Sequence, residues 1–316
     1  MIEQLSDAIH EIVFDTFQET VINYYECGHH DLNRNRVYQV NTSENRYILK
    51  FYYKPNKRIR ELNALTYFHD AKLKILNYGI WKNYLEWSLY GYIDGDMLQS
   101  VIKVLTFENK AVIFDEIGQR MAKLHACKTF DYFGDWTVHK QSPLIEYKQF
   151  IIKDTERIIH NFQAIKAHQN IRDQKAVQIV RDEYRNIRTL DIGRLCHRDL
   201  DGRNLIVKAR EDGMYHLEAI LDFEKCVVFN EHLDTIGLFR KYFIESPELI
   251  PYFIKGYKKY HDISPSFNKE LKFNLFRLGL DLSSWSQNVS KSFYDESIEY
   301  LRTLITIETD IINYHF

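Results

Sequence analysis

The chain has 316 residues, 45% hydrophobic and 15% aromatic, which is ample apolar mass for burial and excludes a disordered or fibrous chain. Its 42 Lys and Arg oppose 44 Asp and Glu for a formal charge of −2, so the overall balance makes no electrostatic case for nucleic acid or an anionic membrane as partner. The length exceeds the usual size of a single hydrophobic core, and two lobes sharing a cleft are expected.

Residues 1–25 read as a helix, with Leu5, Ile9, Ile12, Val13, Phe17 and Val21 at helical spacing. This stretch lacks a basic n-region and an unbroken apolar core, and no later one approaches the ~18 apolar residues of a membrane span, so a cytoplasmic location is expected. Runs rich in β-branched and aromatic residues follow: Arg36-Val37-Tyr38-Gln39-Val40, Arg46-Tyr47-Ile48-Leu49-Lys50-Phe51-Tyr52 and Trp87-Ser88-Leu89-Tyr90-Gly91-Tyr92-Ile93. Between the last two, residues 56–71 place Ile59, Leu62, Leu65 and Phe68 on one helical face. Beyond the turn signal Asp94-Gly95-Asp96, helical periodicity dominates at 107–126, 144–167 and 172–190.

Strand-like interruptions come at Leu195-Cys196, at Leu205-Ile206-Val207 and over 217–223, with Glu211-Asp212-Gly213 as a hairpin turn. Residues 233–316 return to helix, with breaks expected at Pro247, Pro251 and Pro265. The reading is an α+β, bilobal chain: a small mixed N-terminal lobe over 1–92 and a larger, mostly helical lobe over 93–316. Cys27, Cys127, Cys196 and Cys226 form no CxxC pair, so reduced and mostly buried thiols are expected rather than a zinc ribbon or a disulfide scaffold.

The chemistry is concentrated in His197-Arg198-Asp199-Leu200-Asp201-Gly202-Arg203-Asn204, which reproduces the kinase catalytic-loop pattern H-R-D-L-x-x-x-N. Eighteen residues after Asn204, Asp222 ends the apolar run Ala219-Ile220-Leu221. Phosphoryl transfer requires a carboxylate to receive the hydroxyl proton, and an amide oxygen with a second carboxylate to hold Mg²⁺ on the nucleotide phosphates. Asp199, Asn204 and Asp222 supply these groups in that order, with ATP or GTP and Mg²⁺ as the implied cofactors. Taken alone, the tripeptide is compatible with a chance loop and Asp222 with a helix cap.

Lys50 closes Tyr47-Ile48-Leu49-Lys50 where a phosphate-binding lysine belongs, and Glu61, eleven residues on, is its expected ion-pair partner. The stretch Glu26-Cys27-Gly28-His29-His30 has Gly28 as its one glycine, so neither G-x-G-x-x-G nor a Walker A loop is present, although backbone donors there are expected near the phosphates. His29-His30 reads as a solvated loop rather than a metal site. The segment from Tyr90 to Ile93 is the expected hinge, binding the purine through its backbone.

Together these residues resemble the aminoglycoside phosphotransferase family, which also holds choline, fructosamine and macrolide kinases, over residues 28 to about 242. Asn35-Arg36-Val37-Tyr38-Gln39-Val40 looks like the family's nucleotide-loop strand, Tyr92-Ile93-Asp94-Gly95-Asp96-Met97-Leu98 like its post-hinge loop, and Met121-Ala122-Lys123-Leu124-His125 like its Leu-His helix end. The resemblance implies a two-lobed protein-kinase-like fold. It also implies that Asp234, in His232-Leu233-Asp234-Thr235-Ile236-Gly237-Leu238, supports the catalytic-loop backbone together with His197. Arg198 departs from the glycine usual in that family. Against a protein kinase, Asp222-Phe223-Glu224 lacks the glycine of D-F-G, there is no A-P-E, and the short interval to Asp234 leaves no room for a peptide platform.

The resemblance implies a nucleoside triphosphate and a small hydroxylated acceptor as partners, foremost an aminoglycoside or related antibiotic. Alternatives are a metabolic kinase for choline, a sugar or an amino acid, and a non-catalytic relative of the spore-coat type. From Asp281 onward, six acids (Asp281, Asp295, Glu296, Glu299, Glu308, Asp310) face only Lys291 and Arg302, a net charge of −4 before the terminal carboxylate. Because the family's C-terminal helices line the acceptor pocket, Asp295, Glu296 and Glu299 are expected to draw in a cationic acceptor. Solvated helix faces would account for the same acids.

Overall fold

A computed structural model describes residues 2–27, 35–70, 72–134, 146–311 and 314. Helix α1 (Ile2–Phe17) ends where Gln18 turns to φ 60°, and the chain then enters strand β1 (Val21–Cys27). Residues 1–25 are therefore not one helix: Val21 keeps the spacing, but Val21-Ile22-Asn23-Tyr24-Tyr25 carries the β-branched and aromatic residues of a strand. The sheet continues through β2 (Arg36–Thr42), β3 (Arg46–Phe51), β4 (Ile75–Trp81) and β5 (Leu85–Gly91) in the order β1-β2-β3-β5-β4, every pair antiparallel. Helix α2 (Lys57–Tyr67) connects β3 to β4.

The two-residue period of β3 assigns its side chains. Leu49 and Phe51 join Leu89 and Trp87 in a core covered by Ala8, Ile9, Ile12 and Val13 of α1. Ile48 and Lys50 therefore point to the opposite face, where the register pairs Lys50 with Ser88 and Ile48 with Tyr90. Alternation alone sets Lys50 on the side that faces the second lobe.

After the hinge come β6 (Asp96–Met97), α3 (Leu98–Val101), α4 (Phe107–Ala126), β7 (Thr129–Phe130), α5 (Tyr147–Ala164) and α6 (Ile171–Asp182). Strands β8 (Gly193–Cys196), β9 (Leu205–Ala209), β10 (Tyr215–Ile220) and β11 (Val227–Phe229) form two small sheets, β10-β9-β6 and β11-β8-β7. The expected hairpin closes β9 on β10, with Gly213 at φ 80° and Asp212 Oδ1 accepting from Met214 N at 2.9 Å. Helices α7 (His232–Leu238), α8 (Ile250–Tyr257), α9 (Phe267–Ser286) and α10 (Lys291–Thr306) complete the lobe. Pro251 lies in the first turn of α8, where its missing N–H costs nothing, so it starts that helix instead of breaking it. An antiparallel sheet followed by a helical region is the α+β, two-lobed architecture of the sequence reading.

All four cysteines are free, and only Cys196 and Cys226 are buried; Cys127 is exposed and Cys27 intermediate, so "mostly buried" overstated their burial. No helix among the described residues is long and apolar enough to cross a membrane.

Candidate active site

A cavity of about 500 Å³ lies between the sheet and the helical lobe, and Lys50, Glu61, Tyr90, Ile93, Asp199, Asn204 and Asp222 all line it. These residues come from five separate segments of the chain (β3, α2, the hinge, the 197–204 loop and the turn at Asp222), so folding alone brings them together. Ile48, Leu73, Ile206 and Leu221 supply an apolar portion beside the hinge. Gly28, His29 and His30 lie outside the described residues.

Lys50 is the electrostatic centre. Its Nζ stands 2.9 Å from Glu61 Oε2, 2.6 Å from Asp222 Oδ1 and 3.2 Å from Glu224 Oε2. Burial works against a charged ammonium here, but Asp222 and Glu61 outweigh it and hold the Lys50 pKa well above its ordinary value. The reciprocal effect acts on Asp222: burial would raise its carboxyl, and the Lys50 ammonium prevails and holds it at about 2. Glu61 also accepts from Phe223 N at 3.2 Å through Oε1, so one carboxylate ties β3 to the turn that carries Asp222.

Asp222 adopts φ 66° and precedes a short 3₁₀ turn, Phe223–Lys225, without capping it through its side chain. The helix-cap alternative therefore does not describe it. The same turn contributes two groups that belong to no motif in the sequence. Glu224 accepts from Asn35 Nδ2 and faces Lys50, and Lys225 Nζ sits 2.9 Å from Asp199 Oδ2. A glutamate two residues and a lysine three residues past a motif aspartate look like ordinary surface in sequence, and only the turn aims them inward.

The loop bearing Asp199 is pinned from below. Asp234 Oδ2 accepts from His197 N at 2.6 Å and Oδ1 from Arg198 N at 2.7 Å, holding Arg198 at φ 65°. His125 Nε2 donates to Asp234 Oδ2 at 3.0 Å, and its Nδ1 meets Tyr257 Oη at 2.7 Å. His197 accepts from Asp199 N through Nδ1 at 3.2 Å, and its Nε2 lies 2.9 Å from Leu221 O. A backbone amide only donates and a carbonyl only accepts, so the proton belongs on Nε2. His125, Cys196 and Asp234 bring donor atoms within 4.8 Å of one another, the one such grouping among the described residues. Its imidazole and carboxylate are committed to these hydrogen bonds, and a loop support describes the grouping better than a metal site.

Asn204 Nδ2 donates to Asp199 O at 2.8 Å, leaving its Oδ1 as the remaining oxygen donor. With the Asp222 carboxylate, the cavity offers two hard oxygen ligands of the kind magnesium takes beside nucleotide phosphates.

Asp295, Glu296 and Glu299 do not join this group. All three are exposed on α10, and Glu296 Oε1 is held by Lys241 at 2.6 Å and Arg240 at 2.7 Å. Glu308 is bound by Lys272 and Lys175, and Asp281 belongs to α9. The charge of −4 was a property of a stretch of sequence. Folding brings cations from elsewhere against two of its acids.

The model of the phosphotransferase enzyme family matches residues 28–266. Among solved structures, aminoglycoside phosphotransferase APH(4)-Ia in ternary complex with AMP-PNP and hygromycin B superposes with a TM-score of 0.69 at 14% identity, covering 97% of this chain and 98% of that one. Spectinomycin phosphotransferase APH(9)-Ia, complexed with ADP and spectinomycin, gives 0.64 at 14% identity over 96% and 98% of the two chains. The GDP complex of aminoglycoside 2'-phosphotransferase-IIIa gives 0.67 at 12% identity over 98% and 99%. Comparison with curated proteins gives no match. With the family model covering most of its length, the chain belongs to the phosphotransferase enzyme family and is a small-molecule kinase.

Proposed function

We propose that this protein transfers the γ-phosphoryl group of ATP or GTP to a hydroxyl of an aminoglycoside-like antibiotic, with Asp199 as the catalytic base. The observation that carries the reading is the convergence of Lys50, Asp199, Asn204 and Asp222 on one cavity. Lys50 binds the nucleotide phosphates, oriented by Glu61. Tyr90 and Ile93 flank the purine at the hinge. Asp199 orients the acceptor hydroxyl and receives its proton, which lets the oxygen attack in line. Lys225 keeps a positive charge beside Asp199, where negative charge gathers on the transferring group. Asn204 and Asp222 hold Mg²⁺, which neutralises charge on the phosphates. His197 and Asp234 keep the loop in register. Residues 1–92 form the nucleotide lobe and 93–316 the catalytic and acceptor lobe.

Neighbours in fold complexed with AMP-PNP or GDP support both purine nucleotides as donors. Family membership and neighbours complexed with hygromycin B and spectinomycin support the antibiotic class. A metabolic acceptor without several amines is a second reading, favoured by the pairing of Glu296 with Arg240 and Lys241, which removes one of the acids that would attract a polycation. Turnover with MgATP and MgGTP against aminoglycosides, choline, sugars and amino acids separates the two. An aminoglycoside as best acceptor, with KM rising as salt is added, supports the first reading. A neutral acceptor with a salt-independent KM supports the second. No turnover with any acceptor and no nucleotide binding would leave the non-catalytic alternative.

A further inference from the structure

We propose that Tyr52 is a positioning residue for phosphate binding: its hydroxyl locks Glu61 onto Lys50 and links that ion pair to the wall of the nucleotide cavity. The inference rests on the kinase reading and names a residue outside the motifs that support it.

Tyr52 directly follows β3, and its side chain is buried between that strand and α2. Its Oη donates to Glu61 Oε2 at 2.8 Å, the same oxygen that receives Lys50 Nζ at 2.9 Å. Two further hydroxyls surround it, Ser88 Oγ at 3.0 Å and Tyr90 Oη at 3.1 Å. A phenol has one proton, and the carboxylate is the strongest acceptor within reach, so that proton belongs to Glu61 and the neighbouring hydroxyls turn their protons toward Tyr52. Burial, with Glu61 adding to it, pushes the Tyr52 pKa well above its ordinary value, so the donor role persists across the working pH range.

The Tyr52 ring also underlies the ammonium, with Lys50 Nζ 5.0 Å from its centroid. Glu61 therefore has Lys50 and Tyr52 on one oxygen and Phe223 N on the other. A carboxylate with both oxygens occupied has one orientation, and that orientation aims Lys50 at the cavity. Tyr90 lines that cavity, so the chain of hydroxyls runs from the nucleotide-binding wall to the phosphate-binding lysine.

The test measures Mg·AMP-PNP and Mg·GDP binding to the full chain by calorimetry, which requires no knowledge of the acceptor. Tyr52→Phe keeps the ring and removes only the hydroxyl. Loss of a hydrogen bond to a buried carboxylate predicts a Kd weakened about 5- to 20-fold for a nucleotide that wild type binds. In a Glu61→Gln background the same substitution should change Kd by less than about 2-fold, because the carboxylate it orients is gone. Ser88→Ala, which removes a smaller group from the same cluster, should weaken binding in the same direction and also lose its effect in Glu61→Gln. These variants overturn the proposal if Tyr52→Phe binds as wild type does, or if its loss is equally large in the Glu61→Gln background, which marks a merely structural role. If wild type binds neither nucleotide, the kinase reading itself fails, and that outcome is distinct from both.

Discussion

Replacing Asp234 by Asn tests the claim that the catalytic loop is held by a buried carboxylate. In the wild type, Asp234 is 2% exposed and accepts from His197 N, Arg198 N and His125 Nε2 at 2.6, 2.7 and 3.0 Å. Burial alone would raise its pKa, but the hydrogen bond from His125 leads the opposing influences and keeps the carboxyl below its ordinary value, so the acceptor is charged. An amide keeps one oxygen and turns an NH₂ toward a second donor, so at least one charge-assisted hydrogen bond is lost and two N–H groups face each other without water. A hydrogen bond to a charged group is worth about 1.5–3 kcal/mol and an orphaned buried donor costs about 1–3, with overlap between the two, which predicts a loss of about 2–4 kcal/mol. That is a large share of the ~5–15 kcal/mol expected for a folded domain. Equilibrium urea denaturation followed by tryptophan fluorescence reads the loss as a lower midpoint at unchanged slope. The positive φ of Arg198 relaxes when its amide is released, so turnover should fall while nucleotide affinity holds. A variant within about 0.5 kcal/mol of wild type, the range of an ordinary surface substitution, and with full turnover would refute the reasoning.

Asp199→Asn should lower turnover roughly 10²–10⁴-fold while nucleotide Kd stays nearly unchanged, and near-wild-type steady-state rates would remove Asp199 from the mechanism. Gly202→Ala should destabilise the loop by about 1–3 kcal/mol, since a Cβ there would stand 2.0 Å from Tyr242 Oη and 3.0 Å from Gln99 N; a thermal melt matching wild type would contradict that packing. Burial lowers the His232 pKa despite its hydrogen bond to Glu270. Above the unfolded value of about 6.5 neither state is protonated; as pH falls below it the unfolded chain gains a proton that the folded one resists, and stability is lost until the folded pKa is passed. The drop in melting temperature between pH 7 and pH 5 should therefore shrink in His232→Gln, and an undiminished drop would assign it to other groups.

The loop from His197 to Asn204, Asp222 beyond it and Lys50 upstream were legible in the sequence because phosphoryl transfer demands particular functional groups in a fixed order along the chain. The two-lobed α+β architecture was legible from the change in hydrophobic period beyond Asp94-Gly95-Asp96. Local pattern went astray where two readings share a period: Val21 continued the helical spacing while its neighbours paired as β1, and β4, interrupted by Asn77 and Gly79, gave too weak a signal to register. Spatial partnership was decided by the tertiary structure alone. Tyr52, Lys225 and Tyr257 carry no motif, and each owes its place to a neighbour 9, 26 or 132 residues away. The acidic C-terminal stretch shows the same limit in reverse. Charge adds along a chain, but a field depends on what lies beside it, and Lys241 and Arg240 reach Glu296 from 55 and 56 residues away, so only the fold could decide that this carboxylate is neutralised.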